Sequence, residues 1–215
     1  MSSTGGRGWI WRIAAPITML WLAAVINLPA LAAAKIVPPD QLVKQTTQEV
    51  LQLLQEHRSE LKAHPAQIYE QIKGLVIKHF DFPLMSRFVL AQNWRQASPA
   101  QRERFVQEFR RLLVQTYGYS LSQYSGQTVD FKGMQPSPSN DRTIVKTVIK
   151  QPDGPDIPVD YRLHRTSAGW KVYDVILDGV SLVQNYRSSF NAQIHRDGMD
   201  RFLDQLQQRN EHPAH

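Results

Sequence analysis

The chain has no cysteine, so no disulfide can support its fold and no lipid-modified cysteine can tether it to a membrane. Its histidines, at positions 57, 64, 79, 164, 195, 212 and 215, include no H-x-x-x-H pair and meet no carboxylate at metal-ligand spacing. A metal centre is therefore not expected, nor is any cofactor. There is no G-x-S-x-G elbow and no thiol nucleophile, and the glycines form no phosphate-cradling loop. These absences disfavour a simple hydrolase or a nucleotide enzyme and leave no catalytic residue to nominate from motifs. Apolar length is short as well: the run at residues 13–26 has 14 residues, against the ~20 that a helix needs to cross a bilayer.

What that run does resemble is a secretory signal. Arg7 and Arg12 precede it, no acid occurs before Asp40, and Ala30-Leu31-Ala32-Ala33-Ala34 closes it with small residues. The expected cut follows Ala34; a cut after Ala32 satisfies the same rule, and an uncleaved anchor is the alternative. Removing residues 1–34 takes away two arginines and no acid, so the formal charge falls from +6 to +4. That is mildly basic and does not suggest a nucleic-acid partner. The rest is expected to form one domain over residues 35–208, with a flexible polar tail at 209–215.

The periodicity is helical first. In residues 40–62, Leu42, Val43, Thr46, Val50, Leu51, Leu54 and Leu61 recur at helical spacing. Pro65 suits the first turn of a second helix whose face is Ile68, Ile72, Leu75, Val76 and His79. Phe80-Asp81-Phe82-Pro83 breaks it, and a third helical piece over residues 84–94 carries Met85, Phe88 and Val89. Ser98-Pro99-Ala100-Gln101 is the clearest helix start, with a capping hydroxyl, a proline where its missing N–H costs nothing, and a glutamine that can reach back. The stripe that follows is Phe105, Phe109, Leu112, Leu113, Thr116, Tyr117, Leu121 and Tyr124, and Gly126 ends it.

The period then becomes two. Strands are expected at 127–132, 142–150, 157–165 and 170–177, with Val145 on the inward side of the second and Val159, Tyr161 and Leu163 forming one face of the third. A loop is expected at 133–140 and a turn at Pro152-Asp153-Gly154-Pro155. Residues 170–177 are apolar on both faces apart from Lys171 and Asp174, as befits a strand covered on each side. From Val180 the pattern is helical again, first through Val183, Tyr186, Phe190 and Ile194, then through Met199, Phe202, Leu203 and Leu206, with fraying expected from Gln207. Helices, an antiparallel meander and helices again make an α+β domain in which a curved sheet carries helices on one face.

Asp174 is the one residue with catalytic potential. It could act as a general acid or base with Tyr161 or Tyr173 as proton partner, or it could be satisfied structurally by an arginine such as Arg187, the ordinary state of a buried carboxylate. The large apolar side chains on the helices either fill a core or line a cavity, and periodicity alone does not separate the two.

Two stretches resemble the MlaC family, the periplasmic phospholipid-binding proteins also called toluene-tolerance or auxiliary ABC-transport proteins. The first is Trp94-Arg95, Ser98-Pro99-Ala100-Gln101-Arg102, Phe105, Phe109, Tyr117, Leu121 and Tyr124. The second, more specific, is Trp170-Lys171-Val172-Tyr173-Asp174-Val175, Gly179-Val180-Ser181-Leu182-Val183, Asn185-Tyr186-Arg187 and Phe190. Ala91 departs from the pattern, standing where the family is expected to carry glycine, a difference expected to bear on helix packing. The resemblance implies a cone-shaped fold like that of nuclear transport factor 2, with an apolar cavity for acyl tails. It also implies a soluble, monomeric periplasmic carrier whose cargo is phospholipid and which has no enzymatic activity. Such a carrier would shuttle between an outer-membrane lipoprotein and porin complex and an inner-membrane ABC transporter with an MCE-domain protein, maintaining outer-membrane lipid asymmetry. The expected lining is Leu75, Val76, Phe82, Met85, Phe88, Phe105, Phe109, Tyr117, Leu121, Val145, Val159, Tyr161, Leu163 and Val175. Arg87, Arg95, Arg102 and Arg142 are candidates to meet a lipid phosphate or an acidic docking surface. A small enzyme built on Asp174 and a periplasmic adaptor or chaperone are the alternative readings.

Overall fold

Pro39 occupies the first turn of helix α1 (Pro39–Glu56), where the ring's fixed φ is already helical and the absent N–H is not needed. In this computed structural model, which describes residues 36–122, 124–136 and 140–212, a break at His57 separates α1 from the short α2 (Arg58–Ala63). The helix expected over residues 40–62 is thus two. Helix α3 (Pro65–Ile77) follows, and Asp81 caps the next by accepting from the Leu84 amide at 2.9 Å, so that α4 (Phe82–Leu90) starts two residues earlier than its periodicity suggested.

Residues 84–94 do not form one helix either. Ala91 has φ +51° and ψ −111°, which ends α4 and starts α5 (Gln92–Gln96). Helix α6 (Pro99–Ser122) begins with the capping box read from the sequence: the Gln101 amide donates to Ser98 Oγ at 3.2 Å and the Ser98 amide to Gln101 Oε1 at 2.8 Å.

The sheet is an antiparallel meander in the order β1-β2-β3-β4-β5. Its strands are β1 (Thr128–Pro136), β2 (Arg142–Lys150), β3 (Ile157–Thr166), β4 (Gly169–Leu177) and β5 (Val180–Ser181). The first runs beyond the expected 132 because a bulge at Lys132, followed by Gly133 at φ +106°, lets pairing resume with β2. A second irregularity leaves Tyr173 without a partner between the pairs Arg162↔Asp174 and Leu163↔Val172. Such bulges bend and twist the sheet.

Asp178 and Gly179, both at positive φ, make the tight turn into β5. Val180 therefore belongs to a strand and is 56% exposed, not to the helical stripe in which its spacing placed it. Ser181 then caps α7 (Leu182–Asp197) through the Gln184 amide. Helix α8 (Met199–Glu211) continues past Gln207, where polar composition suggested fraying. The reason is Asn210, 3% exposed, whose amide donates to the carbonyl and the carboxylate of Glu108 in α6.

Two cores result. Phe105 and Phe109 of α6 stack at 5.5 Å and meet Phe190 of α7 edge-on, with Phe202 of α8 against the same ring. On the sheet, Val43 of α1 packs with Val145, Leu163 and Val172. Phe88 of α4 packs edge-on against Tyr173 of β4, while Val172 faces α1. Helices thus approach β4 from both sides and not one face alone, in keeping with the apolar character of residues 170–177 on both faces.

Candidate functional site

Between α1, α3, the end of α6 and the sheet lies a cavity of about 720 Å³, within the 300–1,000 Å³ span of typical ligand sites. Helix α1 contributes Leu42, Thr46, Val50, Leu51 and Leu54, the stripe that made it amphipathic. Tyr69, Ile72 and Val76 of α3 and Leu113 and Tyr117 of α6 face them, and Val129, Ile149, Ile157 and Tyr161 come from the sheet. Phe82, Met85 and Leu182 complete the wall. Several of these, among them Leu42, Val50, Leu51 and Val76, are only half-buried. Large apolar side chains at that exposure facing one space leave surface that a ligand would cover.

The α3–α6 wall depends on one glycine. A Cβ on Gly118 would lie 2.0 Å from Cε2 of Tyr69, so the bare backbone lets that ring lie against α6 while its hydroxyl donates to the Val114 carbonyl at 2.7 Å. The signal was an isolated glycine in a long helix, which usually has a packing reason.

Polar groups on the wall are few and held neutral or paired. Burial, with a smaller contribution from Tyr186, pushes the Tyr117 hydroxyl up to about 12. Burial likewise raises Tyr161, against a lesser opposing hydrogen bond with Thr147, and raises Tyr69, with Glu70 adding to the effect. His79 is lowered, first by burial, then by Lys78 and Lys171, with Glu49 acting the other way. Lys73 pairs with Glu70 and stands over the Tyr69 ring. The three tyrosines and His79 are thus shifted toward their uncharged forms, which suits an apolar occupant. Among the described residues no cluster of metal-ligating side chains occurs.

Of the fourteen residues expected to line a cavity, Val76, Phe82, Met85, Tyr117 and Tyr161 stand on this wall. Phe105 and Phe109 are fully buried in the aromatic core behind it, and Val145, Val159 and Leu163 are buried in the sheet, with Val175 packed beside them. Phe88 contacts Tyr173, Leu75 is half-buried away from the wall, and the side chain of Leu121 lies outside those described. The larger omission was α1. Its stripe was legible as apolar, but spacing does not tell a packed face from a face that borders a void.

Asp174 is 2% exposed and does not border the cavity. Its partners are Arg162 at 2.8 Å, the Ser181 hydroxyl at 2.7 Å and the Val183 amide at 3.1 Å in the first turn of α7. The expected partner Arg187 instead donates through Nε to the Phe88 carbonyl at 2.7 Å. Register decides this, since Arg162 is the cross-strand neighbour of Asp174. The carboxylate anchors α7 to β4 and does not face the cavity. Tyr173 packs on Phe88 and His164. Of the other arginines singled out, Arg142 lies over the Tyr173 ring, whereas Arg87, Arg95 and Arg102 converge elsewhere.

Comparison with known proteins gives this cavity a context. The chain is 29% identical over 182 residues, 83% of each sequence, to the toluene tolerance protein ttg2D of Pseudomonas putida. It is 23% identical over 201 residues, 92% of each, to the intermembrane phospholipid transport system binding protein MlaC of Haemophilus influenzae. Its fold is similar, at a TM-score of 0.74 and 25% identity, to a phospholipid-binding protein of Ralstonia solanacearum solved in complex with a phospholipid, covering 81% of this chain and 98% of that one. Residues 44–208 match the family model described as MlaC protein, which spans every cavity-lining element except the first turn of α1, and the chain belongs to the MlaC family.

Proposed function

We propose that this protein is a phospholipid carrier that holds acyl tails in the cavity between α1, α3, α6 and the sheet. The observation that supports this reading most directly is the cavity itself: about 720 Å³, with a wall of half-buried aliphatic and aromatic side chains. Two acyl tails contain about 30 methylenes, and exposing them to water would cost roughly 24 kcal/mol gross at ~0.8 kcal/mol each. Free diffusion between membranes is excluded by that cost. An apolar wall offers tails nearly what a bilayer offers, so net transfer lies near zero and partners can reverse it. No reactive group is required. In this reading residues 1–34 direct export and are removed near Ala34, and the lipid-binding domain runs from residue 35 through the buried Asn210 to the end of α8 at Glu211. The protein then works in the periplasm as a soluble monomer without enzymatic activity. It passes lipid between an outer-membrane lipoprotein and porin complex and an inner-membrane ABC transporter with an MCE-domain protein, which maintains outer-membrane asymmetry. Among the described residues no helix is long and apolar enough to cross a membrane. Native mass spectrometry of protein purified without detergent is expected to show a phospholipid-bound species, and detection of apo protein alone would overturn the reading.

A further inference from the structure

Arg87, Arg95, Arg102 and Arg187 surround a second pocket of about 440 Å³, lined also by Phe88, Ala91, Gln92 and Trp94. It shares no lining residue with the lipid cavity, and no carboxylate borders it. Four elements supply the cations: α4 gives Arg87, α5 Arg95, α6 Arg102 and α7 Arg187. Two are set in place by backbone carbonyls. Arg102 lies over the Trp94 ring at 5.5 Å and donates through Nε to the Trp94 carbonyl at 2.7 Å and through an Nη to the Arg95 carbonyl at 3.2 Å. Among the described residues Arg187 donates from Nε alone, to Phe88. A guanidinium carries five N–H donors, so both retain unspent donors. Arg87 and Arg95 are exposed, and among the described residues neither forms an ion pair.

Four like charges around one concavity repel one another and focus a positive potential there. Arg104 pairs with Asp204 and Arg162 with Asp174, whereas among the described residues the four arginines of this pocket form no ion pair and no acid borders it to offset their charge. We propose that this pocket binds a phosphate group from outside the cavity. A phosphate presents oxygens in several directions and so can accept from guanidinium forks converging from four helices, whereas a carboxylate's two oxygens suit one or two forks in its own plane. Trp94, half-buried and packed on the core with its ring under Arg102, holds that guanidinium at the pocket. The phosphate belongs either to a headgroup at a bilayer surface or to a soluble phosphate ester.

The test compares the protein with its Arg87→Gln/Arg95→Gln variant, whose changed side chains are exposed and whose folding is checked by thermal melting. Titration calorimetry with inorganic phosphate reads the site, flotation with phosphatidylglycerol vesicles against phosphatidylcholine vesicles reads the membrane, and native mass spectrometry reads cavity lipid separately. The expected result is phosphate binding that the variant weakens by about tenfold or more, with cavity lipid unchanged. Vesicle attachment that inorganic phosphate displaces assigns the headgroup; phosphate binding without attachment assigns the soluble ester. Binding equal in protein and variant overturns the proposal, and so does binding of polyglutamate that phosphate fails to displace, which would point to an acidic protein surface. An empty cavity with intact phosphate binding would sink the carrier reading alone.

Discussion

Replacing Ala91 with glycine is expected to stabilise the protein by about 1 kcal/mol. Ala91 sits at φ +51° and ψ −111°, a region from which Cβ sterics exclude L side chains and where a residue other than glycine costs of order 1–3 kcal/mol. Surrounding structure holds it there: its amide closes α4 on the Arg87 carbonyl at 3.0 Å, and the next residue begins α5. Glycine removes the steric cost but gives the unfolded chain more freedom, which takes back about 0.4–1 kcal/mol. The difference is a net gain near 1 kcal/mol, or a melting temperature higher by about 2–4 °C for a chain of this size. Urea unfolding followed by circular dichroism, with an unchanged slope, is the direct assay. A variant that is less stable, with the same slope and spectrum, would refute the account, because it would mean that the Ala91 side chain contributes more than its backbone conformation costs. The glycine expected at this position is thus explained by backbone geometry, where helix packing had been the expected reason.

Cavity and core residues are expected to separate cleanly. Leu51→Trp, on the half-buried cavity face of α1, should change stability by no more than about 1 kcal/mol while lowering the lipid retained to about half or less by occupying its space. Phe105→Ala, at a fully buried ring stacked on Phe109, should cost about 3–5 kcal/mol; native mass spectrometry and urea melts of the two variants check both. For His79, whose folded value is lowered from 6.5, the unfolded chain takes up the proton first as pH falls, so stability is full above 6.5 and declines below it. Denaturation between about pH 7 and about pH 5 should show His79→Asn gaining on the natural protein as the medium acidifies, and parallel curves would refute the shift.

Much of the architecture could be read from local rules. The Ser98–Gln101 capping box, Pro65 in a first turn, the inward side chain of Val145 and the single face formed by Val159, Tyr161 and Leu163 each depend on residues a few positions apart, so the sequence alone determined them. The family resemblance was equally legible, because Trp170 to Asp174 and Asn185 to Arg187 are specific strings. What only tertiary structure decided was which apolar face meets another and which borders a void. Phe105 and the α1 stripe carry the same periodic signal, yet Phe105 meets Phe109, Phe190 and Phe202, whereas Leu42, Val50 and Leu51 face open space. The same holds for charge. Arg162 rather than Arg187 pairs with Asp174 because strand register brings it opposite, and Arg187 joins three other arginines because α4, α5, α6 and α7 each contribute a residue to one pocket. Both outcomes depend on contacts between residues far apart in the chain, and spacing along the chain carries no information about distance across the fold.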